Sequence, residues 1–371
     1  MTPLVHRRCW VEIDGRALRH NFRVLRGLVP RGTKLMAVVK ANAYGHGLVE
    51  MARELEVSGA DWLGVANVAE GAQLRAAGVK LPILLLSATL PEEMEEAIRR
   101  QLTLTLSDCH EARRLGRIAH KLRRKADVHF KVDTGMGRLG CWHEWASEEL
   151  ACMRKLPHIA VTGLCTHFAS ADDNAWLTHA QWKAIEPFFA EHPDLLRHAA
   201  NSPAVTRRYG FTADMVRVGL ALYGIAPHPE DQGLGLQPTL TWKSRITLLR
   251  DVAAGRTVSY GATYRVRSPE RQAVVAMGYG DGYFRLHSNA SHLLVGGKRC
   301  PIRGRVTMDQ IIIDVTRVPG CRVGDEVVAL GDHGGETIHA RELATQAHTI
   351  PWEILTNIGA RVPRVYRYFR S

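Results

Sequence analysis

Residues 35–57 read LMAVVKANAYGHGLVEMARELEV, and a strand pattern, a loop pattern and a helix pattern follow one another along them. Residues 35–39 are short, continuous and apolar, with β-branched members, which is typical of a parallel strand buried on both faces. Gly45 and Gly47 then open the backbone before a helical pattern at residues 48–57. This order predicts a parallel sheet whose strands are joined by helices.

The alternation of strand and helix patterns continues to about residue 225. Seven further strand candidates share the short apolar pattern, and they lie at residues 62–66, 83–86, 102–106, 128–132, 161–166, 196–200 and 215–218. Helical patterns between them include residues 68–77, 91–100 and 175–190. Eight parallel strands with helical crossovers close into a filled cylinder, so we predict an α/β fold with a (β/α)8 barrel of the TIM type. A doubly wound sheet is the alternative, but no Gly-x-Gly-x-x-Gly motif follows an early strand.

The pattern changes after a loop at residues 227–235, which reads PHPEDQGLG. From residue 239 onwards short β patterns dominate, separated by turn signals, and they lie at residues 244–249, 273–276, 310–315 and 326–330. We therefore predict two domains. The barrel takes residues 1–238, and a mostly antiparallel β domain takes residues 239–371.

The composition is ordinary for a globular protein, because 46% of the 371 residues are hydrophobic. No run of 18 apolar residues occurs, so no transmembrane helix is expected, and the first residues, MTPLVHRR, lack the apolar core of a signal peptide. The seven cysteines are odd in number and never form Cys-x-x-Cys. This pattern predicts reduced thiols in a cytoplasmic protein, with neither a disulfide framework nor a metal site.

The net charge of +12 raises the question of a nucleic-acid partner. Basic residues concentrate at residues 113–125 and 361–370, and the first cluster lies on a helical pattern that also carries Leu115, Ile118 and Leu122. A helix of this kind is typical of an outer barrel helix with a solvated basic face. No aromatic interleaving, zinc finger or helix-turn-helix pattern accompanies either cluster, so neither a nucleic acid nor a membrane is expected as a partner.

Lys40 stands where the first strand pattern ends. At the carboxyl end of a buried strand, desolvation disfavours the ammonium form and leaves an amine able to form a Schiff base. The alternative is a surface lysine that merely ends a strand. The surrounding run AVVKANAYGHG, residues 37–47, resembles the pyridoxal 5'-phosphate (PLP) lysine motif of the alanine racemases. The resemblance extends over nearly the whole chain, with the same domain order, and implies that Lys40 holds PLP and that Tyr44 binds its phosphate.

Active sites of (β/α)8 barrels form at the carboxyl ends of the strands, often with phosphate near the last two strands. Ser202 follows the seventh strand candidate, where its hydroxyl and the amides of a helix start could receive a phosphate; it could equally be an N-cap before Pro203. The resemblance implies that Ser202, Gly219 and Leu220 complete the phosphate cup with Tyr44, and it adds Asn201 and Tyr223 to the cofactor-binding residues.

The run RVGLALYG at residues 217–224 carries Arg217, which the resemblance sets against the pyridine nitrogen of PLP. An arginine does not give up its proton, so it donates a hydrogen bond to an unprotonated nitrogen. Charge at the substrate Cα is then less delocalised into the ring, which suits a racemase. His167, after the sixth strand candidate, would support Arg217, although a lone histidine is more often structural.

A second family motif is KVDTGMGRLG at residues 131–140. By resemblance, Arg138 contacts the phenolic oxygen of PLP and the substrate carboxylate, where a guanidinium matches oxygens in pairs. The family commonly carbamylates the lysine at the position of Lys131, and the resulting N6-carboxylysine is an anion that orients the arginine. The alternative is that Lys131 points outward from its strand.

Racemisation needs a base on each face of the substrate Cα, and one lysine supplies only one of them. The resemblance assigns the second base to Tyr260, in VSYGATY at residues 258–264, which reaches the barrel of the other subunit. Met308 and Asp309 would bind the substrate carboxylate from that same subunit. A head-to-tail homodimer with shared active sites follows, whereas the nearby Tyr264 is expected to pack rather than react.

Four residues fall where the family lines a polar entrance: Asp172, Tyr279, Arg285 and Arg305. One position departs from the family pattern. Family members often carry a bulky residue, frequently tyrosine, just before Arg-Val-Pro, and this chain has Ala360 there. We hypothesise that Ala360 enlarges the substrate pocket and permits a side reaction with serine.

Together these features predict a PLP-dependent isomerase that interconverts L- and D-alanine and supplies D-alanine for peptidoglycan. A PLP decarboxylase also combines a barrel with a β domain, but Arg217 and Tyr260 argue for racemisation. A PLP-carrier protein shares the barrel, yet it would not need about 130 further residues that bear Tyr260 and Met308.

Overall fold

The computed structural model describes residues 7–211, 213–228 and 233–370, so residues 1–6 at the start and 229–232 of the predicted linker lie outside the described residues. Contacts between Cα atoms divide the chain into two compact units. The barrel unit comprises Ala17–Ala43 and Gly47–Gln237, and the β unit comprises Met1–Arg16, Tyr44–His46 and Pro238–Ser371.

The strands of the described residues are β1 (Cys9–Asp14), β2 (Lys34–Val38), β3 (Trp62–Val65), β4 (Ile83–Leu85), β5 (Leu104–Leu106), β6 (Ala126–Asp133), β7 (Cys141–Trp142), β8 (Ile159–Cys165), β9 (Leu196–His198), β10 (Met215–Val218), β11 (Leu240–Val252), β12 (Thr257–Val258), β13 (Tyr264–Arg265), β14 (Glu270–Val275), β15 (His292–Val295), β16 (Lys298–Pro301), β17 (Ile311–Asp314), β18 (Glu326–His333), β19 (Glu336–Ile338) and β20 (Arg364–Arg367). The helices are α1 (Gly15–Gly27), α2 (Lys40–Tyr44), α3 (Leu48–Val57), α4 (Val68–Ala76), α5 (Met94–Arg99), α6 (Cys109–Lys121), α7 (Ala146–Arg154), α8 (Ala175–Glu191), α9 (Ser202–Thr206), α10 (Ala340–Gln346) and α11 (Pro351–Thr356).

The barrel unit is built on parallel strands in the order β4-β3-β2-β10-β9-β8-β6-β5. A parallel bridge between Leu84 and Thr103 joins the two ends of this sheet, so the eight strands form a nearly closed barrel. All residues of β4, β5 and β10 are buried, which explains why these strands are apolar apart from Thr105 and Arg217. The predicted barrel is confirmed, and each predicted strand overlaps an observed one.

Helix α6 shows how the basic surface arises. It buries Cys109, Ala112, Leu115 and Ala119 against the barrel, while Arg113 and Arg117 are exposed. The first basic cluster therefore lies on the solvent face of an outer helix, as the sequence pattern predicted.

The β unit contains a nine-stranded sheet with the central order β16-β15-β18-β11-β1-β20. Its pairings are antiparallel except that of β1 with β20, so the predicted, mostly antiparallel domain is confirmed. Strand β1 pairs with both β11 and β20. The sequence pattern did not reveal β1, because its partners lie more than 200 residues away along the chain.

The expectation that all cysteines are reduced thiols is wrong for one pair. Cys109, the first residue of α6, and Cys152 in α7 form a disulfide with their Cα atoms 6.0 Å apart. The two helices flank β6 and contact each other, which the separation of 43 residues does not reveal. The remaining five cysteines are free, namely Cys9, Cys141, Cys165, Cys300 and Cys321.

In the described ranges, no helix has both the length and the apolar character that a membrane span requires.

Candidate active site

Lys40 begins a left-handed helical turn at the carboxyl end of β2. Four consecutive residues, from Ala41 to Tyr44, have φ values of 52° to 54°, so α2 is wound left-handed. None of the four is glycine, and each such residue costs about 1–2 kcal/mol relative to a right-handed conformation. Strain of this kind persists only where the surroundings hold it, and it concentrates at functional sites.

Glu70 holds this turn, and the sequence analysis missed it. One oxygen of its carboxylate accepts from the amide of Ala41 at 2.6 Å, and the other accepts from the amide of Ala66, after β3, at 2.8 Å. Glu70 itself lies in the first turn of α4, whose N-cap is Asn67. The Asn67-x-x-Glu70 spacing is a helix-start signal that could have drawn attention to this carboxylate.

The amine of Lys40 is partly buried, and this burial lowers its pKa. The cation of Arg138 lowers the pKa further, and the carboxylate of Glu70 opposes the change. The net direction favours a neutral amine, which is the form that attacks a carbonyl carbon. The interaction with Arg138 brings together two residues that the sequence analysis selected from different motifs.

Asp133 organises the loop that presents Arg138. Its carboxylate accepts from the amides of Gly135 and Met136, both at 2.8 Å, and of Arg138 at 3.2 Å. Burial alone would raise the pKa of Asp133, but these amides and that of Gly137 bring it below its usual value. The loop is therefore anchored at its base, and the side chain of Arg138 is exposed.

Lys131 lies on the last part of β6 and is only 8% exposed, in contrast to an outward-pointing strand residue. Burial lowers the pKa of Lys131 to about 8. Cys165 and the carboxylate of Asp133 raise that pKa, whereas the cations of Arg217 and Arg138 lower it. The structure thus collects Lys131, Arg138 and Arg217 around one region of the barrel that also holds Asp133.

Arg217, on β10, is buried and its guanidinium meets only neutral acceptors. One terminal nitrogen, Nη2, donates to the carbonyls of Thr166 and Ala199 at 2.8 and 2.9 Å and to Nδ1 of His167 at 3.0 Å. Burial and the cation of Arg217 keep the pKa of His167 well below its usual range. In the described part of the chain, Arg217 forms no ion pair with a carboxylate.

His198 is a second histidine at this arginine, and the sequence analysis did not select it. Its Nδ1 accepts from Nη1 of Arg217 at 2.6 Å. His198 is the last residue of β9, beside β10 in the sheet. A strand-end rule applied to every polar residue would have included it, because it precedes the Asn201-Ser202 pair by only three residues.

The structure brings two of the phosphate candidates together. The hydroxyl of Ser202 accepts from the amide of Gly219 at 2.8 Å. Ser202 is not the N-cap of α9, because that place is taken by Asn201, whose side chain accepts from the amide of Ala204 at 3.2 Å. The alternative in which Ser202 caps the helix is therefore wrong, and its hydroxyl is directed to β10 and the turn that follows.

Three more cofactor candidates are buried. Leu220 follows Gly219 in a short 3-10 turn, Leu220–Tyr223. The hydroxyl of Tyr223 donates to the carbonyl of Val38 on β2 at 2.8 Å, so it ties the turn after β10 to the neighbouring strand. Burial raises the pKa of Tyr44 to about 12, and its phenol is therefore neutral and able to donate.

Within the β unit, Tyr260 lies in a 3-10 turn, Tyr260–Ala262, and is 71% exposed. The turn is tied to the segment of Arg305, because the hydroxyl of Ser259 donates to the Arg305 carbonyl at 2.7 Å. Gly261 has a φ of +71°, and a Cβ there would lie 3.1 Å from the guanidinium carbon of Arg305. The structure thus brings Tyr260 beside Arg305.

Met308 and Tyr279 also belong to this surface of the β unit, and they are 53% and 43% exposed. The amide of Tyr279 donates to the Thr307 carbonyl at 3.0 Å, and the amide of Gly280 to that of Met308 at 2.9 Å. Asp309 accepts from Arg361 at 2.8 Å and is largely exposed.

The remaining predicted residues have simpler surroundings. Arg285, in a 3-10 turn of the β unit, and Ala360 are exposed. In the barrel unit, the carbonyl of Asp172 accepts from Arg207 at 3.2 Å. The hydroxyl of Tyr264 donates to Glu270, and burial raises its pKa to about 12, which agrees with a packing role.

Comparisons with known proteins match the whole of this architecture. The family models described as "Alanine racemase, N-terminal domain" and "Alanine racemase, C-terminal domain" match residues 13–227 and 239–366. The alanine racemase of Methylacidiphilum infernorum is 45% identical over 366 residues, covering 99% of this chain and 94% of that relative. The alanine racemase of Halothermothrix orenii is 41% identical over 374 residues, covering 99% of both chains.

Solved structures give the same result. Alanine racemase from the D-cycloserine-producing Streptomyces lavendulae has a TM-score of 0.91 at 39% identity, covering 99% of this chain and 98% of that one. The alanine racemase of Bacillus anthracis, solved with bound L-Ala-P, has a TM-score of 0.92 at 33% identity, covering 100% and 97% of the two chains. On the combined evidence of both domains, the chain belongs to the alanine racemase family, whose members are PLP-dependent isomerases.

Proposed function

We propose that this protein interconverts L- and D-alanine with PLP as cofactor, and that Lys40 and Tyr260 are the two catalytic bases. The observation that carries the proposal is the buried guanidinium of Arg217, which meets neutral acceptors and no carboxylate among the described residues. An arginine in this state donates to an unprotonated ring nitrogen and cannot protonate it.

The chain from Lys40 to Tyr223 carries residues that fit PLP. Lys40 supplies an amine whose pKa is lowered by burial, as covalent attachment to an aldehyde requires. The hydroxyl of Ser202 accepts from the amide of Gly219 at 2.8 Å, so the pair offers phosphate oxygens the Ser202 O–H group and, on release from Ser202, the Gly219 N–H group, while Tyr44 offers a neutral phenol. Asn201, Leu220, Tyr223 and His167 complete the binding residues. When bound, PLP supplies an electron sink that stabilises negative charge at the substrate Cα.

Arg217 limits how far that charge spreads, because its hydrogen bond leaves the ring nitrogen unprotonated. Return of a proton to Cα is then favoured over transfer to another position. Arg138 binds the substrate carboxylate and the phenolic oxygen of the cofactor with its exposed guanidinium. Lys40 removes or returns the proton on the D face, and Tyr260 does the same on the L face.

Tyr260 acts in the active site of a second subunit. Its exposed fraction of 71%, together with that of Met308, leaves both free to contact a partner. In this head-to-tail homodimer, residues 1–238 bind PLP and residues 239–371 complete the partner's site with Tyr260, Met308 and Asp309. The entrance is lined by Asp172, Tyr279, Arg285 and Arg305. The enzyme supplies D-alanine for peptidoglycan in the cytoplasm.

The test follows D-alanine by chiral chromatography after L-alanine is added to the PLP-loaded protein. We expect Tyr260→Phe to lose at least about 100-fold in rate, because one of two general bases is removed. Tyr264→Phe is the matched control and should keep most of the activity, since its hydroxyl bonds Glu270. Release of carbon dioxide and an amine would support a decarboxylase instead, and bound PLP without turnover would support a carrier protein.

Lys131 is proposed to carry a carbamate, which would place an anion beside Arg138. Its pKa of about 8 increases the fraction of neutral amine that can attack carbon dioxide. Labelled bicarbonate should give a carbamate resonance in the carbon NMR spectrum of the protein and none in Lys131→Gln. A wild-type spectrum without that resonance would refute the modification.

The hypothesis about Ala360 belongs to the same site. The backbone around it is held by the Arg364 guanidinium, which donates to the carbonyls of Gly359 and Ile358, each at 2.7 Å. A small side chain on this loop leaves room for a hydroxymethyl group. Turnover of L-serine should therefore exceed background and fall in Ala360→Tyr, while a serine rate equal to background would reject the hypothesis.

A further inference from the structure

The hydrogen bonds of Arg217 continue into the barrel through two buried histidines. Nη1 of Arg217 contacts Nδ1 of His198 at 2.6 Å, and Nε2 of His198 contacts Nδ1 of His129 at 2.8 Å. His129 and His198 have no exposed surface. His129 is not among the residues assigned to the candidate site, although it lies two residues before Lys131 on the same strand.

The direction of these bonds follows from the chemistry of arginine. A guanidinium has donors only, so Nδ1 of His198 must present its lone pair. Burial and the Arg217 charge keep the pKa of His198 well below its usual range, so the ring is neutral and its single proton lies on Nε2. That N–H group donates to Nδ1 of His129. The pKa of His129 is lowered to about 3 by burial and Arg217, so its own proton must then lie on Nε2.

The last N–H group in this chain of hydrogen bonds, Nε2–H of His129, has no acceptor among the described residues. That nitrogen atom is buried. An unpaired buried N–H group is unfavourable, and an apolar side chain at the same place would avoid it. The fold nevertheless makes room for this ring, because Gly163 on β8 lies opposite it and a Cβ there would be 2.5 Å from the His129 ring.

We propose that His129 is a positioning residue that accepts from Nε2–H of His198, holds that ring in its orientation and thereby holds Arg217 in place as a hydrogen-bond donor. Without an acceptor at residue 129, this N–H group would be buried and unpaired, because the bond from Arg217 keeps the proton on Nε2, and nothing would hold the ring in its present orientation. Nδ1 of His198 would then no longer face Nη1 of Arg217. Arg217 would shift from the position in which it meets the cofactor, and in this respect the inference rests on the proposed function.

The test compares two substitutions in the full chain. His129→Asn retains an oxygen acceptor close to the position of Nδ1, whereas His129→Leu keeps a side chain of similar size without an acceptor. The matched control is His158→Leu, which removes the other histidine pair, an exposed contact between Nδ1 of His120 and Nε2 of His158 at 2.9 Å.

The first measurement is nitrogen NMR of the histidine rings in cofactor-free protein. We expect His198 to be protonated on Nε2 in the wild type and in all three variants, because Arg217 fixes this tautomer, and we expect its Nε2–H resonance to show a hydrogen bond in every protein except His129→Leu. The second is PLP affinity by absorbance titration. We expect a loss of at least about tenfold in His129→Leu, as for one lost bond to a charged group, and less than about threefold in the other two variants.

Two results would overturn the proposal. One is an Nε2–H group of His198 that remains hydrogen-bonded in His129→Leu; if that variant does not fold, a wild-type His198 protonated on Nδ1 has the same meaning. The other is an equal loss of PLP affinity and of melting temperature in His129→Asn and His129→Leu, because packing alone would then explain the effect. A wild-type protein that makes no D-alanine would defeat the proposed function, while the NMR of cofactor-free protein would still decide the role of His129.

Discussion

At the scale of single residues, the barrel unit holds more positive than negative charge near its candidate site. Burial and the neighbouring cations lower the pKa of Lys131 from the ordinary 10.5 to about 8. This shift makes the stability of the fold depend on pH. Between these two values the unfolded chain binds more protons than the folded one. The free energy of unfolding therefore rises with pH across this window, and below pH 8 the buried ammonium destabilises the fold.

We predict that Lys131→Met raises the free energy of unfolding at pH 7 by about 3 kcal/mol in buffer free of carbon dioxide. It should also remove the rise of stability between pH 8 and 10.5 that we expect of the wild type. Denaturant unfolding at several pH values measures both effects. Lys125→Met, at an exposed site, is the control and should behave as the wild type does; equal behaviour of the two variants would contradict the prediction.

At the same scale, the sequence predicted several residues of the candidate site and missed two others. A rule about strand ends, with the family motifs, selected Lys40, Arg138, His167 and Arg217, and the structure connects these residues by contacts or charge. Glu70 and His198 were missed. Neither belongs to a motif that was quoted, and each acts through a contact with a residue distant in sequence, Glu70 with Ala41 in α2 and His198 with Arg217 on β10.

At the scale of elements, the left-handed α2 is the feature that local sequence reasoning did not predict. Alanine and tyrosine disfavour positive φ and asparagine only tolerates it, and the sequence analysis expected an open loop of small residues. The turn depends on bonds from outside it. The amide of Leu48 donates to the Asn42 side chain at 2.9 Å, and Glu70 accepts from Ala41.

Gly45, which follows this turn, provides a test of how tightly its surroundings fit. It has a φ of +83°, and a Cβ there would lie 2.3 Å from the carbonyl oxygen of Leu355. Gly59 has a similar φ of +94° but nothing within 4 Å of an added Cβ, so it is a matched control. We predict that Gly45→Ala lowers the free energy of unfolding by at least about 2 kcal/mol more than Gly59→Ala does, because only the former adds a backbone clash to the φ strain. Urea unfolding decides this, and equal losses would show that the contact is relieved at little cost.

At the scale of the whole molecule, the disulfide between Cys109 and Cys152 links two outer helices of the barrel unit. A closed loop of 43 residues restricts the unfolded chain, so Cys152→Ser should lower the free energy of unfolding by roughly 2–4 kcal/mol under non-reducing conditions. Cys141→Ser, at a free cysteine, is the control. Peptide mapping without reductant identifies the bond directly, and two free thiols at these positions would contradict both the bond and the predicted loss.

The proposed sharing of the active site between two subunits can be tested by mixing two inactive variants. Lys40→Ala and Tyr260→Phe each damage every site of their own homodimer. A mixed dimer contains one site in which both bases are native, because Lys40 and Tyr260 of that site come from different chains. After equal mixing and subunit exchange, about a quarter of all sites should be active, as random pairing requires. Activity that stays at the level of the separate variants would show that each chain supplies both bases to its own site.

The sequence was sufficient for the features that neighbouring residues encode. The eight barrel strands, the change to β patterns near residue 239 and the polar residues at strand ends all follow from periodicity and turn signals, which record how each short segment is buried. Only the tertiary structure decided the pairing of β1 with β11 and β20, the disulfide of Cys109 with Cys152, the left-handed turn after Lys40 and the histidine series behind Arg217. These features join residues far apart in the chain, and their energies depend on closure of the barrel and sheet rather than on any local pattern.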